Sequence, residues 1–156
     1  MPNEIKDKLS SSTALTITLA SLADSAGRQS TLVDNGTTRY QELLVYIKCK
    51  MGASAPTANS IVEVYLIRGD KDGGTEHLSD GAGASDAALA PLNASLIGVM
   101  RNKAAPSGGD VLYGEFLVHR PGPKWGIAVI NRTGQAFDST GSNHWVRYIG
   151  ITTEVQ

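Results

Sequence analysis

An all-β sandwich of jelly-roll type, with about eight short strands and little helix, is the fold this sequence predicts. Three observations predict it. Apolar residues recur at every second position along several segments, which is the repeat of a strand with one buried face. Clusters of Gly, Pro, Asn, Asp and Ser separate those segments at fairly even spacing. Charged residues are only 19% of the chain, against about 25% in ordinary soluble domains, and 17 of the 156 residues are glycine. Long solvated helices carry more Lys and Glu than this composition supplies.

The segments, in order, are these. Residues 1–13 form a polar N-terminal arm with charges of both signs and no apolar stretch of the signal-peptide kind. Residues 14–156 are read as one domain, since no linker, repeat or second compositional zone appears. In residues 15–22, Leu15, Ile17 and Leu19 alternate with Thr16 and Thr18, and residues 28–33 form a weaker strand candidate. Residues 40–51 give the clearest pattern: Leu43, Val45, Ile47, Cys49 and Met51 alternate with Glu42, Leu44, Tyr46, Lys48 and Lys50. Residues 61–68 are rich in the β-branched and aromatic types that suit a pleated surface. Strands at 96–101, 111–118, 125–131 and 144–151 follow. Turn chemistry stands between them, at Asp34-Asn35-Gly36, Lys71-Asp72-Gly73-Gly74, Pro106-Ser107-Gly108-Gly109 and Pro121-Gly122-Pro123. Ser85-Asp86 suits the cap of a short helical turn through Leu89, limited by Pro91. The loop over residues 69–94 is long for a compact domain, and loops of that size are functional or mobile.

Two segments are apolar on both faces. Val62, Val64 and Leu66 oppose Ile61, Tyr65 and Ile67, and Val146 and Tyr148 oppose Trp145, Ile149 and Ile151. A two-layer sandwich leaves each sheet one solvated face, so a second apolar stripe needs a further cover. Either a neighbouring subunit or the chain's own loop or arm supplies it.

Composition excludes several function classes. The net charge of −1, from 14 basic and 15 acidic residues, gives no general attraction to phosphate backbones or anionic membranes, so neither nucleic acid nor membrane is an expected partner. The one cysteine, Cys49, sits mid-strand beside Val45 and Ile47, where a small buried hydrophobe accounts for it. His77, His119 and His144 are isolated from one another, and no Gly-x-Ser-x-Gly elbow appears, so no catalytic residue is assigned. Asp70, Asp72, Glu76 and Asp80 lie on a Gly-rich loop, but their spacing departs from a calcium-binding loop and reads as a solvated turn. There is no zinc-type Cys/His spacing, so no metal or cofactor is expected. Arg68-Gly69-Asp70 spells an adhesive tripeptide that arises easily by chance. Three Asn-x-Ser/Thr triplets, at Asn35, Asn93 and Asn131, likewise reflect abundant residues. Trp125, Trp145, Tyr40, Tyr46, Tyr65, Tyr113 and Tyr148 are spread over different strands, as core and interface filling rather than a sugar platform.

Residues 17–35 (ITLASLADSAGRQSTLVDN), 57–70 (TANSIVEVYLIRGD), 122–134 (GPKWGIAVINRTG) and 147–151 (RYIGI), in that order, resemble a group of small virion proteins of tailed bacteriophages. The resemblance covers most of the chain and rests on turns and strands, so it carries over no functional residue. It implies a jelly-roll or related sandwich and a particle component rather than an enzyme. The leading expectation is a capsid cement or decoration protein, made in the host cytoplasm and bound to the outer surface of the virion head. It would stabilise the shell by clamping major capsid protein subunits, as a homo-oligomer with a trimer favoured. Residues 1–13 and the 69–94 loop are the expected contacts. The alternative is a host-recognition module of the tail or baseplate that takes a glycan or receptor, or a tail or connector component. A recognition module predicts a concave site with exposed aromatics, and a cement protein predicts flat apolar patches.

Overall fold

The computed structural model describes residues 4–37, 39–70, 78–80 and 83–155. Its strands are β1 (Ile5–Leu9), β2 (Thr13–Leu15), β3 (Gly27–Gln29), β4 (Val33–Asp34), β5 (Glu42–Lys50), β6 (Ile61–Gly69), β7 (Ala87–Ala88), β8 (Ser95–Arg101), β9 (Val111–His119), β10 (Lys124–Arg132) and β11 (Trp145–Val155). A single 3₁₀ turn, Gly141–Asn143, leads into β11. Every pairing is antiparallel, in two sheets.

Sheet A runs β1-β11-β5-β9, with β2 also on β11; sheet B runs β7-β3-β10-β6-β8, with β4 also on β10. β1 and β2 lie end to end along β11, and β3 and β4 end to end along β10. Counted so, and with the two-residue β7 set aside, the chain is one long eight-strand hairpin rolled up. The first strand pairs with the last, the second with the seventh, the third with the sixth and the fourth with the fifth. That connectivity is the jelly roll, and the expected all-β sandwich is the fold found.

Alternation makes the core. Leu43, Val45, Ile47 and Cys49 of β5, Val62, Val64 and Leu66 of β6, Trp125, Ile127 and Val129 of β10 and Val146 and Tyr148 of β11 fill one continuous cluster between the sheets. Burial of a side chain of this size stabilises by roughly 1.5–3 kcal/mol. Trp125 and Tyr148 meet edge to face across the sandwich, with ring centroids 4.8 Å apart. Tyr40 packs on Tyr148 from the side at 6.1 Å, lying over Gly150, where a Cβ would stand 2.1 Å from the Tyr40 ring. Only glycine admits the ring there.

Two expected strands come out differently. Residues 15–22 bury Leu15, Leu19 and Leu22 in the core, yet only β2, ending at Leu15, is paired. The alternation there reports burial with only scattered backbone bonds, such as those from the Thr31 N–H to the Thr16 carbonyl and from the Phe137 N–H to the Leu22 carbonyl, and no strand ladder. The chain turns at Ser21 (φ 56°). Residues 28–33 split into β3 and β4, because the Ser30 hydroxyl accepts the Ile127 N–H at 3.1 Å and the Leu32 N–H turns to the Ala84 carbonyl. The helical turn expected after Ser85-Asp86 is instead β7, an extended pair on β3. Asp86 binds Arg28 Nε and Thr18 Oγ1, both at 2.5 Å, rather than capping anything. The segment read as a polar arm contributes β1 and the first residue of β2 to sheet A, and β11 extends to Val155 to meet β1.

Cys49 is fully buried, and burial pushes its thiol up to about 12 from 9.0. The native protein therefore holds far less thiolate than an exposed cysteine at the same pH. Iodoacetamide is expected to label Cys49 only as fast as the protein unfolds, which mass spectrometry across a urea series measures.

His144 closes one end of the core, stacked on Phe137 at 5.8 Å. Its Nδ1 accepts the Lys50 N–H at 3.3 Å, so the proton sits on Nε2, which donates to the Asp138 carbonyl at 2.8 Å. Burial holds its pKa below the ordinary 6.5, against the opposing pull of that carbonyl bond. The unfolded chain thus takes up the proton first. Stability from this group is complete above about pH 6.5 and is lost as the pH falls below it. The urea midpoint is expected to drop between pH 7.5 and 5, and His144→Gln to lessen that drop.

Candidate interaction surface

Sheet B covers the middle of its own outer face, while Leu96 and Val99 of β8 stay exposed at its edge. Gln29, Ala128, Tyr65 and Ile67 point away from the core, and residues 83–94 lie across them, with Leu89, Leu32 and Ala94 completing a second small apolar cluster. Buried Gln29 donates to the carbonyls of Gly83 and Ser85, at 2.8 and 2.7 Å. The carboxylate of Asp80 accepts the N–H groups of Leu92, Asn93 and Ala94, at 2.8–2.9 Å. So Asp80, grouped in sequence with possible calcium ligands, anchors this strap. Asp72, Glu76 and His77 lie outside the described residues. For the second apolar stripe of β6, the cover is the chain itself, and the described part of the 69–94 loop belongs to it.

Sheet A has no such cover among the described residues. Residues directly opposite across a sheet share a face, so the register lays out its outer side in rows. Trp145, Lys48 and Tyr113 form one row; Arg147, Tyr46 and Glu115 the next; then Ile149, Leu44 and Leu117; then Ile151, Glu42 and His119. The Tyr113 and Trp145 rings reach towards each other over Lys48, centroids 6.4 Å apart, and the Arg147 guanidinium lies 5.8 Å from the Trp145 ring centre. Tyr113 is 66% exposed and Leu117 48%. Past Ile151 only β1 continues beside β11, and their ribbon carries exposed Ile5, Leu9 and Val155 on the same face as Ile151. The result is a flat, open, largely apolar and aromatic surface.

At one end the surface meets a cleft of about 1040 Å³, lined by Asn35, Gly36 and residues 39–42 on one side and by His119, Arg120, Gly122 and Pro123 on the other. Asn35 clamps the two sides. Its amide donates to the carbonyls of Tyr40 and Gly122, both at 3.0 Å, and its carbonyl oxygen accepts the Tyr40 N–H at 2.8 Å. Arg39 and Arg120 flank the cleft in left-handed backbone, with φ 54° and 47°, and His119 meets Glu42 at 2.7 Å on its rim. Tyr40 is the one aromatic lining it, and that ring is committed to Tyr148 and Gly150.

The residues singled out from sequence therefore separate. Trp125, Tyr148, Tyr40 and Tyr65 pack within the fold, whereas Tyr46, Tyr113 and Trp145 come together on the open face. His119 and His144 stand far apart in role, one on the rim and one buried. Arg68 of the adhesive-like tripeptide is tied to Ser95 Oγ and the carbonyls of His119 and Arg120. Asn35 and Asn131 are buried with their amides bonded within the fold. Leu44, Tyr46, Tyr113 and Leu117 were not marked in sequence as parts of one surface; only the register of β5 with β9 and β11 joins them. No protein-family model, no curated protein and no solved structure matches the chain.

Proposed function

We propose that this protein is a structural packing module that binds a flat protein surface through the outer face of sheet A. One contrast carries the reading: residues 83–94 pack over the centre of sheet B, whereas no described residue lies over the centre of sheet A, where Trp145, Tyr46, Leu44 and Ile149 are half-buried and Tyr113 and Leu117 exposed. An exposed apolar and aromatic patch, here interleaved with Lys48, Arg147 and Glu115, marks a docking site in a soluble protein, and Trp, Tyr and Arg are the residues that dominate binding energy at such sites. Combined with the resemblance to virion proteins of tailed phages, this favours a capsid decoration protein. It would bind the major capsid protein on the outside of the head, as a homo-oligomer with a trimer favoured, and resist shell expansion by joining neighbouring subunits.

A tail or baseplate recognition module remains the second reading, and the cleft beside Arg39 and Arg120 favours it, since backbone strain of this kind gathers at functional sites. Its one lining aromatic is already packed, so the flat face carries more weight. The test is where the protein sits and what it does there. Many copies at capsid symmetry positions, and heads that lose heat resistance without it, are the expected results. A few copies at the tail tip, or heads equally robust without the protein, would overturn the decoration role.

A further inference from the structure

The geometry points to the free edge of β9 as a docking line for an extended segment of a partner protein, which adds to sheet A as a further strand. This rests on the reading of sheet A as the interaction surface and names what the partner brings to it. The Met51 N–H donates to the Asp110 carbonyl at 2.8 Å, and the Arg120 N–H to the Gln41 carbonyl at 2.7 Å. Those bonds fix the phase of the ladder: even-numbered residues of β9 exchange hydrogen bonds with β5, and odd-numbered ones turn their N–H and C=O groups outward. Val111, Tyr113, Glu115 and Leu117 thus present a row of backbone donors and acceptors, and among the described residues no other backbone group pairs with them.

Exposed edges of this length are ordinarily blunted by Lys, Pro, a bulge or shortness. The other edges here are: β1 is five residues with Lys6 and Lys8, β7 is two residues, and β8 carries a register shift opposite Val64/Tyr65 and ends in Arg101. β9 runs nine residues in unbroken register with no Lys and no Pro. The residues whose backbone faces outward also carry the exposed Tyr113, Leu117 and Val111 side chains. An added strand would therefore gain main-chain bonds and apolar contact at alternate positions, as strand-addition sites do.

Charge selects the occupant. In the register that pairs all nine residues of β9 with a second copy, Glu115 faces Glu115, and like charges directly opposite are unfavourable. A partner strand with apolar residues opposite Tyr113 and Leu117 and a Lys or Arg opposite Glu115 fits instead.

The probe is a capped nonapeptide, Val-Thr-Val-Thr-Lys-Thr-Val-Thr-Val, with a Glu-centred version as its counterpart, titrated into the ¹⁵N-labelled full chain. Saturable binding is expected, with downfield shifts and at least tenfold slower exchange at the amides of Tyr113, Glu115 and Leu117. Affinity should fall at least tenfold for the Glu-centred peptide. Glu115→Pro removes one outward N–H without touching the β5 ladder and should abolish binding, whereas Glu115→Gln should lose only the preference for Lys. No saturable binding, shifts elsewhere on the fold, or unchanged binding by Glu115→Pro overturns the strand-addition site. If binding to phage heads is lost in Trp145→Asp but kept in Glu115→Pro, the face docks without the edge and only this inference fails. If neither change affects head binding, the docking face itself is refuted.

Discussion

Trp125→Ala is expected to cost about 3–5 kcal/mol of folding stability, the range for emptying a large aromatic site in a core. The indole is wholly buried in β10, the strand that holds sheet B together between β6 and β3. Its ring is also the edge-to-face contact that joins β10 of one sheet to Tyr148 of the other. The truncation removes apolar contact from both layers and leaves a hole that close-packed strands cannot collapse into. Set against the 5–15 kcal/mol that a domain commonly has in hand, the variant should show a urea midpoint lowered by about a fifth or more, or no cooperative transition. Trp125→Phe should lose less. It keeps most of the ring, and the indole N–H it removes has no hydrogen-bond partner in the fold.

On the proposed decoration role, Trp145→Asp should leave the fold nearly as stable as before and weaken binding to phage heads by a factor of about 30 or more, the equivalent of at least about 2 kcal/mol. Trp145 is half-buried at the rim of the Tyr113–Lys48 row, and its outer surface faces solvent in the isolated chain. A carboxylate there keeps its water in the free protein and loses it in the complex. The control is Tyr65→Asp. Tyr65 occupies the matching outer position on sheet B, where Leu89, Leu32 and Ala94 pack over it. That change should cost stability and leave the intrinsic affinity of the folded fraction unchanged. A sedimentation assay with heads, beside urea unfolding of each variant, separates the two. If the two positions behaved alike, the distinction between the sheets would not hold.

The strands of the sandwich were legible because each half-buried strand writes its own two-residue period. Residues 40–51 and 111–118 needed nothing beyond that, and β5 and β9 fall almost where the alternation puts them. Leu15, Ile17 and Leu19 show the limit. The same period arises wherever an extended segment dips into a core at alternate residues, whether or not its backbone finds a neighbour. The interaction surface was half legible. Trp145, Ile149 and Ile151 announced a second apolar stripe on β11, but so did Tyr65 and Ile67 on β6. Which stripe the chain covers itself depends on where residues 83–94 lie, and that is decided by contacts of Gln29, Arg28 and Asp80 with positions dozens of residues away. Pairings of that kind leave no local pattern. The edge of β9 was illegible for the same reason: an edge is a strand whose second neighbour is absent, and absence is a property of the whole topology.

The place of β11 has a kinetic consequence. Residues 42–50 can pair with 111–119, but their other neighbour is residues 145–151, and residues 5–9 wait for 151–155, so sheet A cannot be completed until nearly the whole described chain exists. At the roughly 5–20 residues per second of synthesis, residues 42–50 wait for this second strand neighbour for on the order of 5–20 s. The order of pairing makes this a slow folder, on the order of milliseconds to seconds even when the full chain is present.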